Sequence, residues 1–362
     1  MKEFIPSAYS KQVESGAVGW QSPSNIALVK YWGKRDPQLP ENPSISFTLD
    51  ACRTKTIMHY SPKIYPGNSL SFDVYFEGEK NEAFKPKIAK FFERIEQYCP
   101  FVRDFHFKIE TENTFPHSSG IASSASGMSA LALCLMSIES ELVDSMQDDF
   151  FKKKASFLAR LGSGSACRSI EGDLIVWGEH DNIKGSNDFY GIQYPDEVHP
   201  NFKNYHDTIL LIDKGEKQVS STVGHNLMHG HPFAKNRFLQ AHENLSKLQA
   251  VLKEGDIEGF IKIMESEALT LHGMMMTSSP YFILMKPNTL KVINKIWNFR
   301  NETGLPVGFT LDAGANVHIL YPENDSVRIF QFIKDQLVEY CQNGHYICDR
   351  IGKGASQLKV KS

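Results

Sequence analysis

The chain has 362 residues, 41 % of them hydrophobic and 22 % charged, which is the composition of an ordinary globular protein long enough for two domains. Its formal net charge of −3 comes from 39 basic and 42 acidic residues and argues against bulk binding of nucleic acid or of an anionic membrane. An anionic ligand must therefore be held by a local group of residues.

The cysteines and the first residues indicate the compartment. Six cysteines are scattered along the chain without a Cys-x-x-Cys pair, a pattern that favours free thiols in a reducing environment over a disulfide framework or a zinc site. The chain starts without an apolar signal segment, and no run approaches the roughly 18 apolar residues of a membrane span. We expect a cytoplasmic protein.

The spacing of apolar residues predicts a mixed α/β first half, because alternation is typical of strands and a period of about 3.6 residues is typical of helices. The predicted elements are an apolar patch at 26–29, a proline-rich loop at 37–43, a strand at 70–76, a helix at 88–99, a strand at 105–109, a buried helix from 131, a helix at 151–161 and a strand at 174–177. Residues 178–200, rich in Gly, Asn, Asp and Pro, are the best candidate for a domain boundary or a mobile loop.

The second half begins with a predicted strand and continues with helices. Its predicted elements are a strand at 208–213, helices at 234–253, 256–272 and 288–301, strands at 307–311 and 316–321, and a last helix near 325–341. Polar clusters interrupt these elements at a few places, and those clusters carry the functional argument.

A glycine- and serine-rich segment at 118–129 directly precedes the apolar run 131–136. Small side chains let a charged ligand approach the backbone, and a helix start offers free N–H groups and the positive end of its dipole. The segment predicts a phosphate-binding loop, although it matches neither the lysine-ended P-loop nor the dinucleotide fingerprint. A serine-capped helix packed tightly against a neighbour is the alternative interpretation.

A second loop of the same kind lies at 161–170, where Gly and Ser alternate before Arg168. A guanidinium group matches a carboxylate or phosphate in bidentate fashion, so this loop predicts a site for anionic groups. The turn that ends a helix is the alternative interpretation of this loop.

Lys30 and Lys34, with Tyr31 between them, could neutralise a polyphosphate or acidic substrate. The alternative interpretation is that they are surface lysines at the end of a strand.

Asp312 follows the predicted strand 307–311 and precedes small residues, a position that suits a rigid catalytic base, although a turn Asp before Gly is the alternative. His225, His229 and His231 show spacing that could bind zinc, but no Glu or Cys partner stands nearby, so we assign no metal site there. His117 is interpreted as a loop side chain.

Together these segments resemble the GHMP superfamily of small-molecule kinases and, within it, the diphosphomevalonate decarboxylases. The resemblance is carried, in the family's order, by residues 24–36, 120–127, 162–169, 219–222 and 310–314. The strings Lys-Tyr-Trp-Gly-Lys and Gly-Ser-Gly-Ser-Ala-Cys-Arg are highly specific, whereas the serine-rich loop alone would mark only the superfamily.

The resemblance implies ATP-dependent decarboxylation of mevalonate 5-diphosphate to isopentenyl diphosphate, ADP, phosphate and CO₂, in isoprenoid precursor synthesis, with ATP and Mg²⁺. It implies an α+β, GHMP kinase-like fold of two domains with the active site in the cleft between them. The first, residues 1–200, resembles domain 2 of ribosomal protein S5 and binds ATP, and the second, residues 201–362, is ferredoxin-like. We expect a homodimer that binds this small-molecule substrate but neither nucleic acid nor membrane.

The family's functional residues carry over to matching positions of this chain. Asp312 is the base near the tertiary hydroxyl group, Lys30 is its charged neighbour, and Arg168 holds the substrate carboxylate. The diphosphate end is bound by Tyr31, Lys34, Ser163 and Ser165, and Ser221 lies beside the phosphoryl path. The ATP phosphates are cradled by the 118–126 loop through Ser119, Gly120, Ala122, Ser123, Ser124 and Ser126. No side chain is assigned as a metal ligand.

The sequence departs from the family pattern at three places: 117–119 read His-Ser-Ser where Thr-Ala-Ala is usual, His225 stands where a methionine is frequent, and Ala315 replaces a frequent proline. Two alternatives remain open. One is a related enzyme acting on mevalonate or its monophosphate, as a kinase or as a phosphomevalonate decarboxylase; Arg168 with Asp312 speaks against the kinase. The other is a non-catalytic sensor of a nucleotide or isoprenoid precursor, which the intact lysines speak against.

Overall fold

A computed structural model describes residues 1–64, 69–116, 121–214 and 221–360, with the backbone alone at 221 and 222. The strands are β1 (Gly16–Val29), β2 (Lys34–Arg35), β3 (Leu39–Pro40), β4 (Ser44–Pro62), β5 (Ser71–Phe76), β6 (Glu79–Lys80), β7 (Phe105–Asn113), β8 (Leu174–Trp177), β9 (Ile192–Gln193), β10 (His206–Leu210), β11 (Gly308–Thr310), β12 (Val317–Tyr321), β13 (Tyr346–Arg350) and β14 (Ser356–Gln357). The helices are α1 (Lys85–Ile95), α2 (Ser123–Leu142), α3 (Asp148–Gly162), α4 (Ser221–Asn226), α5 (Ala234–Glu254), α6 (Ile257–Met276), α7 (Pro287–Thr303) and α8 (Ser326–Phe332). This mixture of elements confirms the α+β prediction.

The larger sheet has the strand order β14–β1–β4–β7–β5–β6, and β8 pairs with both β4 and β9. Its centre is the antiparallel pair of β1 and β4, while β5 and β7 run parallel. One core lies between this sheet and α1, α2 and α3, and it includes Phe91, Phe107, Leu135 and Phe157. The packed sheet therefore fixes the position of the residues from Lys30 onward, which follow the C-terminal end of β1.

The smaller sheet has the antiparallel order β11–β12–β10–β13, and residues of α7 and α8 pack on it in a second core. A third core joins the two halves, since Leu28 and Phe47 of the larger sheet belong to one apolar cluster with Leu245, Phe260 and Leu320. This continuous apolar contact fixes the ends of β1 and β11 relative to each other.

Helix α2 is buried on nearly every side, as its apolar composition predicts. Two hydroxyl pairs join its small residues to the sheet: Ser129 with Ser22, and Ser126 with Thr54, each with the oxygens 2.6 Å apart. Small side chains at these positions bring the helix close to β1 and β4, which places its N-terminus beside the cleft described below.

Most elements predicted from apolar spacing are confirmed, with shifted ends. Residues 178–200 contain the short strand β9 and are joined to the larger sheet, since Trp177 Nε1 donates to Asp188 O at 3.0 Å. The expected last helix near 325–341 is confirmed in extent, but its type changes along the chain: α8 ends at Phe332 and the chain continues as a π-helix, Ile333–Leu337, and a 3₁₀ helix, Val338–Tyr340. The division into two domains between residues 200 and 201 stays a prediction.

Within the described ranges, no helix has both the length and the apolar character needed to cross a membrane.

Candidate active site

A cleft of about 780 Å³ opens where the C-terminal end of β1 meets the loop after β11. Six cationic side chains line it among the described residues: Lys30, Lys34, Lys87, Lys90, Arg94 and Arg168. In the same described part of the chain, two carboxylates line the cleft, those of Asp36 and Asp312. This excess of positive charge lies inside a chain of net charge −3, so the cleft is a locally built anion site.

Lys30 and Asp312 form an ion pair inside the cleft, with 2.9 Å between Nζ and Oδ1. Lys30, directly after β1, is 2 % exposed, while Asp312, two residues after β11, keeps 27 % of its side chain exposed. Burial lowers the pKa of Lys30, and the Asp312 carboxylate opposes that shift. The arrangement leaves an accessible carboxylate, held by a buried cation, at the wall of an anion-binding cleft.

A second ion pair, which the sequence analysis missed, holds the backbone of Lys30. Glu267 of α6 accepts the Lys30 N–H at 2.8 Å, and Arg237 of α5 donates to the Lys30 carbonyl oxygen at 3.0 Å. Arg237 and Glu267 also pair with each other at 2.5 Å, and both are fully buried. Asn244 donates to Glu267 at 2.7 Å. The two helices thereby fix the position of the residue that pairs with Asp312.

Arg168 lies in a 3₁₀ helix, Gly164–Ser169, that follows α3. Its Nη1 donates to Ser44 Oγ, and its Nε and Nη2 lie 3.4 Å from Asn25 Oδ1. Asn25 is fixed in turn, because its amide group donates to Ser169 Oγ at 2.7 Å. The guanidinium group is thus held by neutral oxygens, and its positive charge remains available to a ligand.

Four of the other predicted substrate contacts line the same cleft. Tyr31, Lys34, Ser163 and Ser165 all belong to its wall. Burial raises the pKa of Tyr31, so its phenol group stays protonated at neutral pH, while burial and the nearby Arg94 lower the pKa of Lys34. A side chain at position 164 would meet the Tyr31 hydroxyl group and Trp177, so the first half of this loop requires Gly there.

The start of α2 forms another wall of the cleft, through Ala122, Ser123 and Ser124. Ala122 has a positive φ of 42°, a backbone conformation that turns the chain into the helix. Lys87 of α1 donates to Ser124 Oγ at 2.8 Å. Ser126 differs from the other predicted contacts, because its hydroxyl group is buried against Thr54 and supports the helix–sheet contact.

A smaller cavity of about 150 Å³ adjoins the start of α2 and shares Lys87, Ser123 and Ser124 with the cleft. Its remaining walls are mostly apolar or hydroxyl-bearing and include Phe84, Ile109 and Met128. An elongated ligand can therefore span from the charged cleft to a largely apolar compartment past the N-terminus of α2.

Three residues that were predicted to contact the ligands lie wholly or partly outside the described part of the chain. Ser119 and Gly120 lie outside the described residues, as does His117. Ser221 begins α4, and its side chain lies outside the description as well.

Two histidines that received no role in the sequence analysis contact the cleft residues. His272 Nε2 donates to the Asp312 carbonyl oxygen at 3.1 Å, and burial lowers the pKa of His272 to about 4. His225 lines the cleft, and burial together with Lys34 and Arg168 lowers its pKa to about 3. Both rings are therefore neutral at physiological pH. No signal in the sequence alone distinguished these two from solvated histidines.

The described residues offer no group of three His, Cys, Asp or Glu side chains that could hold a metal ion. A divalent cation in this cleft would depend on ligand oxygens in addition to the carboxylates of Asp36 and Asp312. Mg²⁺ commonly binds in this way, through one or two carboxylates and the phosphates of a substrate.

The chain is similar to proteins of one family in both sequence and fold. Residues 22–189 match the family model of the diphosphomevalonate decarboxylase-like N-terminal domain, and residues 208–360 match that of the mevalonate 5-diphosphate decarboxylase C-terminal domain. The diphosphomevalonate decarboxylase of Gibberella zeae is 30 % identical over 322 residues, which are 84 % of this chain and 81 % of that protein.

Solved structures agree. A structure of MDDEF in complex with MVAPP, AMPPCP and magnesium has a TM-score of 0.80 and 27 % identity, and the match covers 96 % of this chain and 100 % of that one. The mevalonate diphosphate decarboxylase from Enterococcus faecalis, solved to study ATP binding mediated by mevalonate diphosphate, gives 0.80 and 26 % with the same coverage. Both family models, the curated relative and the folds agree, so this chain belongs to the diphosphomevalonate decarboxylase family.

Proposed function

We propose that the chain catalyses the ATP-dependent decarboxylation of mevalonate 5-diphosphate to isopentenyl diphosphate, ADP, phosphate and CO₂. The observation that carries this proposal is the convergence of Asp312, Lys30 and Arg168 on one cleft, although they come from three distant parts of the sequence. A base, a cation beside it and a fork for a carboxylate are the groups that this reaction needs.

The first step is phosphorylation of the tertiary hydroxyl group, because a tertiary alcohol is a poor leaving group. Asp312 Oδ2 or Oδ1 takes the hydroxyl proton as the new O–P bond forms, and ADP leaves. Lys30 holds the carboxylate at 2.9 Å, so the base is oriented before substrate arrives. Phosphoryl transfer depends on positioning and on charge neutralisation, which the cationic walls of the cleft supply.

The second step is loss of phosphate with decarboxylation. The tertiary C–O bond breaks, and the electrons of the C–C bond to the carboxylate form the new double bond as CO₂ departs. Arg168 holds the carboxylate so that this bond aligns with the departing phosphate. Asn25 and Ser44 fix the guanidinium group and thereby fix that orientation.

The diphosphate of mevalonate 5-diphosphate and the phosphates of ATP bind to different walls of the cleft. Tyr31, Lys34, Ser163 and Ser165 bind the diphosphate end of mevalonate 5-diphosphate. The start of α2, at Ala122, Ser123 and Ser124, receives the ATP phosphates, and the nucleoside enters the adjoining apolar cavity. Mg²⁺ would neutralise the ATP phosphates and would be held mainly by phosphate oxygens, with Asp36 and Asp312 as the carboxylates among the described residues of the cleft.

The assay that tests this proposal offers mevalonate, its 5-phosphate and its 5-diphosphate in separate reactions with ATP and Mg²⁺, and it measures ADP and trapped CO₂. We expect equal amounts of ADP and CO₂ from the 5-diphosphate, with far lower rates from the other two. ADP without CO₂ would identify a kinase, fastest turnover of the 5-phosphate would identify a phosphomevalonate decarboxylase, and no turnover at all would leave the sensor.

A homodimer and a cytoplasmic location are further proposals, supported by the family resemblance and the cysteine pattern. Light scattering on the purified protein measures the first, with twice the chain mass as the expected result. Fractionation of the source cells measures the second.

A further inference from the structure

His225 lines the cleft together with Tyr31, Lys34 and Arg168. Tyr31 covers one part of the ring, with the ring centroids 4.2 Å apart, and Trp32 covers another at 4.6 Å. Gly224 lets α4 approach this closely, because a side chain there would meet the Trp32 ring. The imidazole is therefore packed against two aromatic residues, Tyr31 and Trp32, that follow Lys30 in the chain.

The hydrogen bonds of the ring determine its tautomer. His225 Nδ1 lies 3.0 Å from the Gly33 nitrogen and accepts the Gly33 N–H. A neutral imidazole that accepts at Nδ1 carries its proton on Nε2. Within the described residues Nε2 has no hydrogen-bond partner, and the ring lines the cleft. This donor, which has no partner among the described residues, belongs to a ring that lines the cationic cleft.

From this geometry we propose that His225 Nε2–H donates a hydrogen bond to an anionic oxygen of mevalonate 5-diphosphate in the part of the cleft near Lys34 and Arg168, and that His225 is a substrate-binding residue. The inference rests on the proposed function.

The ring acts as a neutral donor, which suits its surroundings. Burial is the largest cause of its low pKa of about 3, and Lys34 and Arg168 add to it. A third full charge beside these cations would cost free energy whenever the cleft is empty, whereas a neutral N–H adds direction without that repulsion. The donor is therefore available throughout the neutral pH range.

Two substitutions separate this role from a structural one. His225→Asn keeps an acceptor near the position of Nδ1 for the Gly33 N–H but does not reach as far as Nε2. His225→Gln places an amide N–H near the position of Nε2. His229→Asn is the matched control, since His229 is exposed and lies outside the lining of the cleft.

The measurement is the Kd of mevalonate 5-diphosphate by titration calorimetry, together with KM and kcat. Loss of a hydrogen bond to a charged group weakens binding by roughly tenfold to a hundredfold. We expect that loss for His225→Asn, binding within about threefold of wild type for His225→Gln, and no change for His229→Asn. KM for ATP should stay the same in all three.

The outcomes are distinguishable. If wild type binds the 5-diphosphate and His225→Asn binds it equally well, the role of His225 is refuted while the proposed function stands. If wild type neither binds nor converts it, the proposed function fails and this inference with it. Should His225→Asn not fold, ¹⁵N-histidine spectra of wild type decide, because added 5-diphosphate must shift the Nε2–H signal of His225; an unmoved signal overturns the proposal.

Discussion

Lys30 Nζ donates to Asp312 Oδ1 at 2.9 Å although the two residues are 282 positions apart in the chain. Lys30 directly follows β1 of the larger sheet, and Asp312 follows β11, an edge strand of the smaller one. The pair therefore forms only when both sheets are folded and packed together. Chemistry at this pair is sensitive to changes in either half of the chain.

Asp312→Asn tests the base directly. An amide cannot take the hydroxyl proton, so we expect kcat to fall by a factor on the order of 10² to 10⁴. Affinity for ATP should change little, because the start of α2 and the lysines remain. Turnover by ADP and CO₂ release and nucleotide affinity by calorimetry are measured side by side. The exposed Asp144→Asn is the control, and a variant at position 312 with near wild-type turnover would remove Asp312 from the mechanism.

Arg168→Lys tests whether the guanidinium group of Arg168 holds the substrate carboxylate. An ammonium group keeps the charge but cannot reproduce two parallel N–H bonds or the contacts with Asn25 and Ser44. We expect kcat/KM for mevalonate 5-diphosphate to fall on the order of a hundredfold. Arg35→Lys, at a partly exposed ion pair with Asp188, is the matched substitution and should have no comparable effect. Retained activity at position 168 would mean that another group holds the carboxylate.

Sequence motifs located the chemistry of this site but not the way it is held in place. The strings around Lys30, Arg168 and Asp312 were recognisable because their small and charged residues are unusual inside apolar elements. Arg237 and Glu267 gave no such signal, since a charged residue on a helix usually faces solvent. Their burial follows from the packing of α5 and α6 against β1, which apolar spacing alone does not specify.

Strand β4 was missed for a related reason. Its buried positions include Cys52, Thr54 and Thr56, so its alternation is weakly apolar. Thr54 is satisfied by the Ser126 hydroxyl group, a partner 72 positions away on α2. Polar residues that bond across a helix–sheet contact look like loop residues until the contact partner is known. The general α+β class was predictable, while the central strand pair required the tertiary structure.

Glu267→Gln tests the buried clamp on Lys30. The substitution leaves the Arg237 guanidinium group buried without its counter-charge, and breaking such a pair costs roughly 3–5 kcal/mol in the free energy of unfolding. We expect that loss in urea denaturation and a decrease in kcat, because the Lys30 backbone loses its fixed position. Glu265→Gln is the matched control on the same helix. Its partner Arg300 is partly exposed, so a clearly smaller loss of stability is expected there. Equal losses at the two positions would contradict the special role of the clamp.

His272 predicts how acid affects stability. Burial lowers the pKa of His272 to about 4, whereas an unfolded histidine titrates near about 6.5. Between these values the unfolded state binds one more proton than the folded state, so the free energy of unfolding decreases as the pH falls from about 6.5 towards 4, by about 1 kcal/mol per pH unit.

The test compares urea unfolding of wild type and His272→Gln across that range. Gln can still donate to the Asp312 carbonyl oxygen but does not titrate, so its stability should fall less steeply on acidification than that of wild type. Groups shared by both proteins, including Lys30 and Asp312 beside the ring, cancel in the difference between the curves. His229→Gln, at an exposed position, controls for the substitution itself. If the free energy of unfolding changes with pH equally in wild type and His272→Gln, the pKa of His272 in the folded protein is not lowered by burial.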